Sequence, residues 1–196
     1  MEPVQNPKIA ISGLHHLALV VKNMDRTIDF YNRVLGMPLI KTIDIPNGRG
    51  QHFFFDVGNG ASLAFFWFPN APEAAIGIAN PPYPQSVSAH GSMHHVAFRV
   101  PADKLQDYRD MLVAEGVEVT ETWYHNDPLD DITVKQTPTS FLGSIYFQDP
   151  DGIILELADW MRPIHPSTDV HHERVTDASG KARWIKKEEA EMAPVA

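Results

Sequence analysis

The chain has 196 residues, a net charge of −9, no cysteine, ten histidines and 43% hydrophobic residues. That length fits one domain, or two half-domains sharing a core, and the missing thiols exclude disulfides and thiolate metal sites, so a metal would need His and carboxylate donors. An acidic balance without a basic cluster argues against nucleic acid or an anionic membrane as partner. The lack of any apolar run near about 18 residues, or of a signal pattern over Met1 to Ala10, predicts a soluble cytoplasmic protein.

Residues 1–11 read as a loose lead-in, followed by a first module over 12–68. Leu14 to Val21 suits a short buried strand with His16, Ala18 and Val20 on one face. Met24, Ile28, Tyr31, Val34 and Leu35 recur at helical spacing, and Gly36 stands where a C-terminal glycine cap belongs. Three strands follow, Leu39 to Ile45, His52 to Val57 and Ser62 to Phe68, parted by the turns Pro46-Asn47-Gly48 and Gly58-Asn59-Gly60. Residues 69–92, rich in Pro, Ala, Gly and Ser, form a linker stiffest at Pro81-Pro82-Tyr83-Pro84.

The pattern then restarts in a second module over 93–159. Met93-His94-His95-Val96-Ala97-Phe98 repeats the opening strand 79 residues on, and Leu105, Tyr108, Met111 and Leu112 form a helix face ending at Gly116, 80 residues after Gly36. Val117 to Trp123, Ile132 to Lys135, Phe141 to Phe147 and Ile153 to Leu157 supply strands. Gly60 matches Gly152 at an offset of 92, so the second copy carries about 12 extra residues between Gly116 and Gly152. The predicted fold class is α+β, with two βαβββ modules forming a cupped mixed sheet. Residues 160–196 read as a surface arm with a charged, frayed tail.

The chemistry gathers at the end of the second module. Asp149-Pro150-Asp151-Gly152 is a tight turn: Pro fixes φ, the Asp side chains bond nearby backbone, and Gly permits positive φ. In the strand beyond it Ile154, Glu156 and Ala158 share one face, and a carboxylate there is costly to bury without a positive partner. The matching place in the first module, four residues after Gly60, is Ala64. Two strands opening on His15-His16 and His94-His95, brought to Glu156 by a pseudo-twofold, therefore give two imidazoles and one carboxylate. That is the facial triad suited to non-haem Fe(II), and the same donors can take Mn, Co, Ni or Zn.

These modules resemble the vicinal oxygen chelate superfamily of glyoxalases, bleomycin-resistance proteins, fosfomycin-resistance enzymes and type I extradiol ring-cleaving dioxygenases. The likeness rests on Leu14-His15-His16-Leu17-Ala18-Leu19, Phe30-Tyr31 with Leu35-Gly36, and Tyr146 to Glu156. It implies a metal site of His16, His95 and Glu156, with the pleat turning His15 and His94 to the opposite face. Tyr146, two residues, Asp149-Pro150, one residue, Gly152, three residues, Glu156 matches the end of the extradiol signature. The resemblance then implies Fe(2+) as cofactor, a catechol-type aromatic substrate with O2, and Tyr146 beside the bound diol.

That signature also carries an acid-base His eight to ten residues before the Tyr, a place taken here by Gln136-Thr137-Pro138. His125 is the catalytic substitute chosen, with His52 and His165 as other carriers. Phe54, Phe65, Trp67, Trp123 and Phe147 are candidate walls for a flat ring. The resemblance also implies a homodimer or higher homo-oligomer, with modules pairing within one chain or across two. The alternatives are a redox-neutral metal-dependent lyase, isomerase or transferase of the same superfamily, or a metal-free binding protein. Ala64, which cannot coordinate, counts against the four-ligand lyases and epimerases. Ala18 stands where the fosfomycin thiol transferases place a Thr.

Overall fold

The computed structural model describes residues 9, 11–75, 83–127, 131–169 and 179. Two compact units make up the chain, residues 1–162 and 163–196. In the second, the short helix Pro166–Asp169 begins after His165, whose N–H donates to Asp169 Oδ2 at 2.7 Å. The charged tail with His171 and His172, most of the lead-in, and Pro81-Pro82 of the linker lie outside the described residues.

The first unit holds both modules. In the first, β1 (His16–Val20) leads to α1 (Met24–Ile28), which Asn23 caps by accepting from the Arg26 N–H. The helix continues as a π-helical turn over Asp29–Val34, and Gly36 leaves it at φ +70°. β2 (Leu39–Ile45), β3 (Gly50–Gly58) and β4 (Ala61–Trp67) complete a sheet ordered β1-β4-β3-β2, with β1 parallel to β4 and the other pairs antiparallel. Asn59-Gly60, both at positive φ, make the tight β3–β4 turn.

The second module runs β5 (Val96–Arg99), α2 (Leu105–Ala114), β6 (Trp123–Asn126), β7 (Asp131–Thr133), β8 (Ser140–Gln148) and β9 (Ile154–Trp160). Its sheet is ordered β5-β9-β8-β6-β7. The expected strand over 117–123 is instead a single bridge, Val119 to Phe147. The added residues form the β6–β7 hairpin, built on Asn126. Its buried amide donates to Tyr124 O, Asp131 O and Thr133 Oγ1, while its Oδ1 accepts from the Thr137 and Ser140 hydroxyls. A fully satisfied buried amide of this kind specifies one hairpin geometry.

The α+β, two-module fold is as expected, but the sheets stay separate, with four and five strands, rather than joining into one cup. Alternation explains what joins them. Phe55, Leu63 and Phe65 of the first sheet and Ile145, Phe147, Leu155 and Leu157 of the second point to one shared core, filled from α1 and its π turn by Met24, Phe30, Tyr31 and Val34. The opposite face of each sheet is left for other work.

Candidate metal and acid-base site

The Asp149–Gly152 turn holds the second module's open face in register. Gly152 N–H donates to Asp149 O and Asp149 N–H to Ile153 O, with Gly152 at φ +84°, the geometry of a type I turn closed by a left-handed glycine. Asp149 Oδ1 accepts from the Asp151 and Ile153 N–H groups, and Oδ2 from Tyr31 Oη at 3.0 Å, which ties the turn to the first module. Burial pushes the Asp149 carboxyl up to about 6, against the pull of those donors. Tyr31 is raised well above the ordinary phenol range by its own burial and then by Asp149.

Past the turn, register places Tyr146 opposite Glu156 and Ala97 beside it. Glu156 is 3% exposed; its Oε2 lies 3.0 Å from His95 Nε2, and its Oε1 is buried without a hydrogen-bond partner. A buried carboxylate oxygen left bare is costly, and a cation answers it. In octahedral coordination two neighbouring donors, each about 2.1 Å from one ion, stand about 3.0 Å apart, which is the His95–Glu156 spacing. The nitrogen–oxygen donor set and the orphaned Oε1 thus fit a divalent metal.

Tyr146 and His125 stand over the same face. His125 Nε2 lies 3.5 Å from Tyr146 Oη and 3.4 Å from Ser144 Oγ, and Trp123 packs against Tyr146 with ring centroids 5.4 Å apart. His125 is 9% exposed on β6, within the added hairpin. Beside Tyr146 opens a cleft of about 460 Å³ lined by Tyr83, Pro84, Glu118, Gln148 and Ile154 among others. Of the expected walls, Trp123 and Phe54 lie on the open faces. Phe65, Trp67 and Phe147 do not, because their odd positions on β4 and β8 turn them to the shared core, although Phe147 also lines the cleft as expected.

His16 is elsewhere. It lies exposed on β1 with Phe54 at a ring distance of 6.0 Å, and among the described residues of one chain no three His, Asp or Glu side chains converge on a metal position. Around it the first sheet's open face carries Ala18 and Val20, and His52 stacked on Phe66 at 3.6 Å. Burial lowers the His52 imidazole, with His16 adding to the effect, and its Nε2 is buried without a partner. His165 belongs to the second compact unit.

The other members of the two His doublets need correcting. His15 and His94 do not turn away: His15 Nδ1 is 2.7 Å from His16 Nδ1, and His94 Nδ1 is 2.8 Å from His95 Nδ1. Pleating begins only at His16 and Val96, so alternation does not govern the residues before them. His94 and its anchor, the Ser86 carbonyl, were missed as functional candidates. The signal for His94 was the doublet itself, which recurs in both modules.

A family model described as Glyoxalase/Bleomycin resistance protein/Dioxygenase superfamily matches residues 13–157. The chain belongs to that superfamily. Members of the superfamily bind divalent metals and small-molecule substrates, often as homodimers. Relatives of this chain diverge in chemistry. It is 26% identical over 113 residues to the Bacillus subtilis protein named "Putative ring-cleaving dioxygenase MhqE", a match covering 56% of this chain and 33% of that one. It is 24% identical over 147 residues to Metallothiol transferase FosB of Shouchella clausii, covering 75% and 80%. The chain thus spans about a third of the length of MhqE. The crystal structure of a superfamily protein from Enterococcus faecalis shares the fold, with a TM-score of 0.56 at 24% identity over 77% of this chain and all of that one. No helix among the described residues is long and apolar enough to cross a membrane.

Proposed function

We propose that the protein is a non-haem Fe(II) extradiol dioxygenase that opens a catechol-type ring with O2, its metal held by His95, Glu156 and His16. The observation that carries the reading is the buried Glu156, one oxygen 3.0 Å from His95 Nε2 and the other without a partner, under a phenol–imidazole pair. Fe(II) supplies Lewis acidity toward the two vicinal oxygens and one-electron chemistry toward O2.

The chain's residues do the rest. Tyr146 Oη donates to a substrate oxygen, and His125 Nε2, 3.5 Å away, takes and returns the proton. Trp123 holds the Tyr146 ring in place, and the cleft under Tyr83 and Pro84 admits a flat apolar ring. The third ligand comes from a second copy. His16 is exposed on an open face whose Val20 is 51% exposed, and that face closes on the Glu156 face of a twofold partner, giving a homodimer with two shared sites. FosB likeness supports a second reading, a redox-neutral transferase using the same three donors.

Protein purified without oxygen, assayed for metal and for O2 uptake with a panel of catechols, separates the two. Iron near one per chain and catechol-dependent O2 consumption that disappears in Glu156→Ala are expected. Iron-free protein that consumes no O2 but is activated by Mn, Co, Ni or Zn would overturn the dioxygenase reading in favour of the second.

A further inference from the structure

A row of polar contacts runs from the linker to Glu156. Ser86 O lies 2.8 Å from His94 Nε2, His94 Nδ1 lies 2.8 Å from His95 Nδ1, and His95 Nε2 lies 3.0 Å from Glu156 Oε2. The two rings meet edge to face, centroids 5.0 Å apart at 82°.

Elementary chemistry assigns the protons. A carbonyl oxygen only accepts, so His94 Nε2 carries the hydrogen that it donates to Ser86 O. A neutral imidazole has one N–H, so His94 Nδ1 is a lone pair and must accept from His95 Nδ1–H. His95 Nε2 is then the nitrogen that faces the Glu156 carboxylate, which also only accepts, so Nε2 is a lone pair only where a divalent cation lies between the two. With that cation in place, the remaining assignments in the row follow from the linker carbonyl.

We propose that His94 is a positioning residue that holds His95 in its Nδ1–H tautomer, anchored by the Ser86 carbonyl, so that Nε2 meets a divalent cation as a lone pair beside Glu156. A metal-ligating imidazole needs its other nitrogen to donate, and that partner fixes both ring orientation and basicity. Here the partner is a second imidazole, and its own anchor lies in the linker between the modules. The same contact recurs at His15 and His16, at 2.7 Å, on an exposed face with quite different surroundings. Packing around either doublet therefore does not account for it. The inference rests on the proposed metal site but not on ring cleavage.

The test uses Co(II), its affinity for the full chain measured by chelator competition, together with ¹⁵N chemical shifts of the His95 ring in Zn(II)-loaded protein. His94→Phe, which cannot accept, should weaken Co(II) binding about tenfold to a hundredfold, and His94→Asn, whose Oδ1 accepts in place of Nδ1, should return it to within about threefold of wild type. With Zn(II) bound, the His95 ring should coordinate through Nε2 and carry its hydrogen on Nδ1 in wild type, and that hydrogen should exchange faster in His94→Phe. Unchanged affinity in His94→Phe, equal loss in both variants, or a wild-type ring whose Nδ1 carries no hydrogen would overturn the assignment. Glu156→Ala keeps the two readings apart. If it binds Co(II) as wild type does, the metal site itself fails and the inference with it; if it loses Co(II) while His94→Phe does not, only the inference falls.

Discussion

Replacing Asp149 by Asn should remove a specific piece of the protein's pH-dependent stability. Asp149 is 5% exposed and its carboxyl is pushed up to about 6 by burial, from an ordinary value of 3.8. A carboxyl whose folded value is raised binds its proton more tightly when folded, so its contribution is fully present below 3.8 and is lost as pH rises through about 6. At 1.36 kcal/mol per unit, the full contribution is about 3 kcal/mol. Between about pH 7.5 and about pH 4.5 it should account for about 2 kcal/mol of stability gained on acidification.

The assay is urea unfolding of chelator-treated wild type and Asp149→Asn across that range, followed by both fluorescence and circular dichroism to check that unfolding is two-state. Asn keeps an acceptor for the Asp151 and Ile153 N–H groups, so the turn survives and only the titration is deleted. The difference between the two proteins should change by about 2 kcal/mol, with wild type gaining toward acid. Curves that stay parallel, or a wild type that gains toward alkali, would refute the account of Asp149 as a carboxyl desolvated between the modules.

Other outcomes follow from the site and the fold. His16→Ala and Glu156→Ala should each abolish tight metal binding, yet refolded together they should regain about a quarter of wild-type capacity. Half of the dimers would be mixed and each of those would hold one whole site of two; mixed dimers without recovery would refute sharing across chains. Tyr146→Phe and His125→Gln should keep metal content while lowering kcat about a hundredfold or more, the range of a lost proton-transfer group. Steady-state O2 uptake beside metal analysis reads both, and a fall in metal content would reassign them to packing. Gly50→Ala should cost at least about 2 kcal/mol, read as a lowered Tm, because a Cβ there would meet Trp67 O at 2.1 Å and the backbone holds φ +146°; an unchanged Tm would refute that close approach.

Much of this arrangement was legible in the residues, for reasons of periodicity. The doubled His-His-apolar-Ala pattern predicts two equivalent modules, and the structure sets Ala18 beside Ala64 and Ala97 beside Glu156 in matching parallel strand pairs. The Asp149–Gly152 turn and the face shared by Glu156 and Tyr146 follow from turn chemistry and a period of two. Counting parity from Ala64 and Tyr146 would also have sent Phe65, Trp67 and Phe147 to the core. The β6–β7 hairpin was harder. Asn126 organises it through contacts to Asp131, Thr137 and Ser140, long-range choices that local propensity does not encode. The side-by-side contact of each His doublet was hidden because the strands start two and three residues later than the pattern suggests, at His16 and Val96.

The grip of the first module on the Asp149–Gly152 turn gives that module a second job. Tyr31 donates to Asp149, Arg26 to the Pro150 carbonyl and the Lys22 N–H to Asp151, so three consecutive turn residues are clasped from α1 and its flanks. Glu156 lies only four residues beyond Gly152, on the strand that this turn launches. The half of the chain that carries His16 thus serves as a splint for the acid of the other half. A shift of α1 would be felt at Glu156 as a change in its depth beneath His95, and strain imposed on one half of the repeat would be read out by the other.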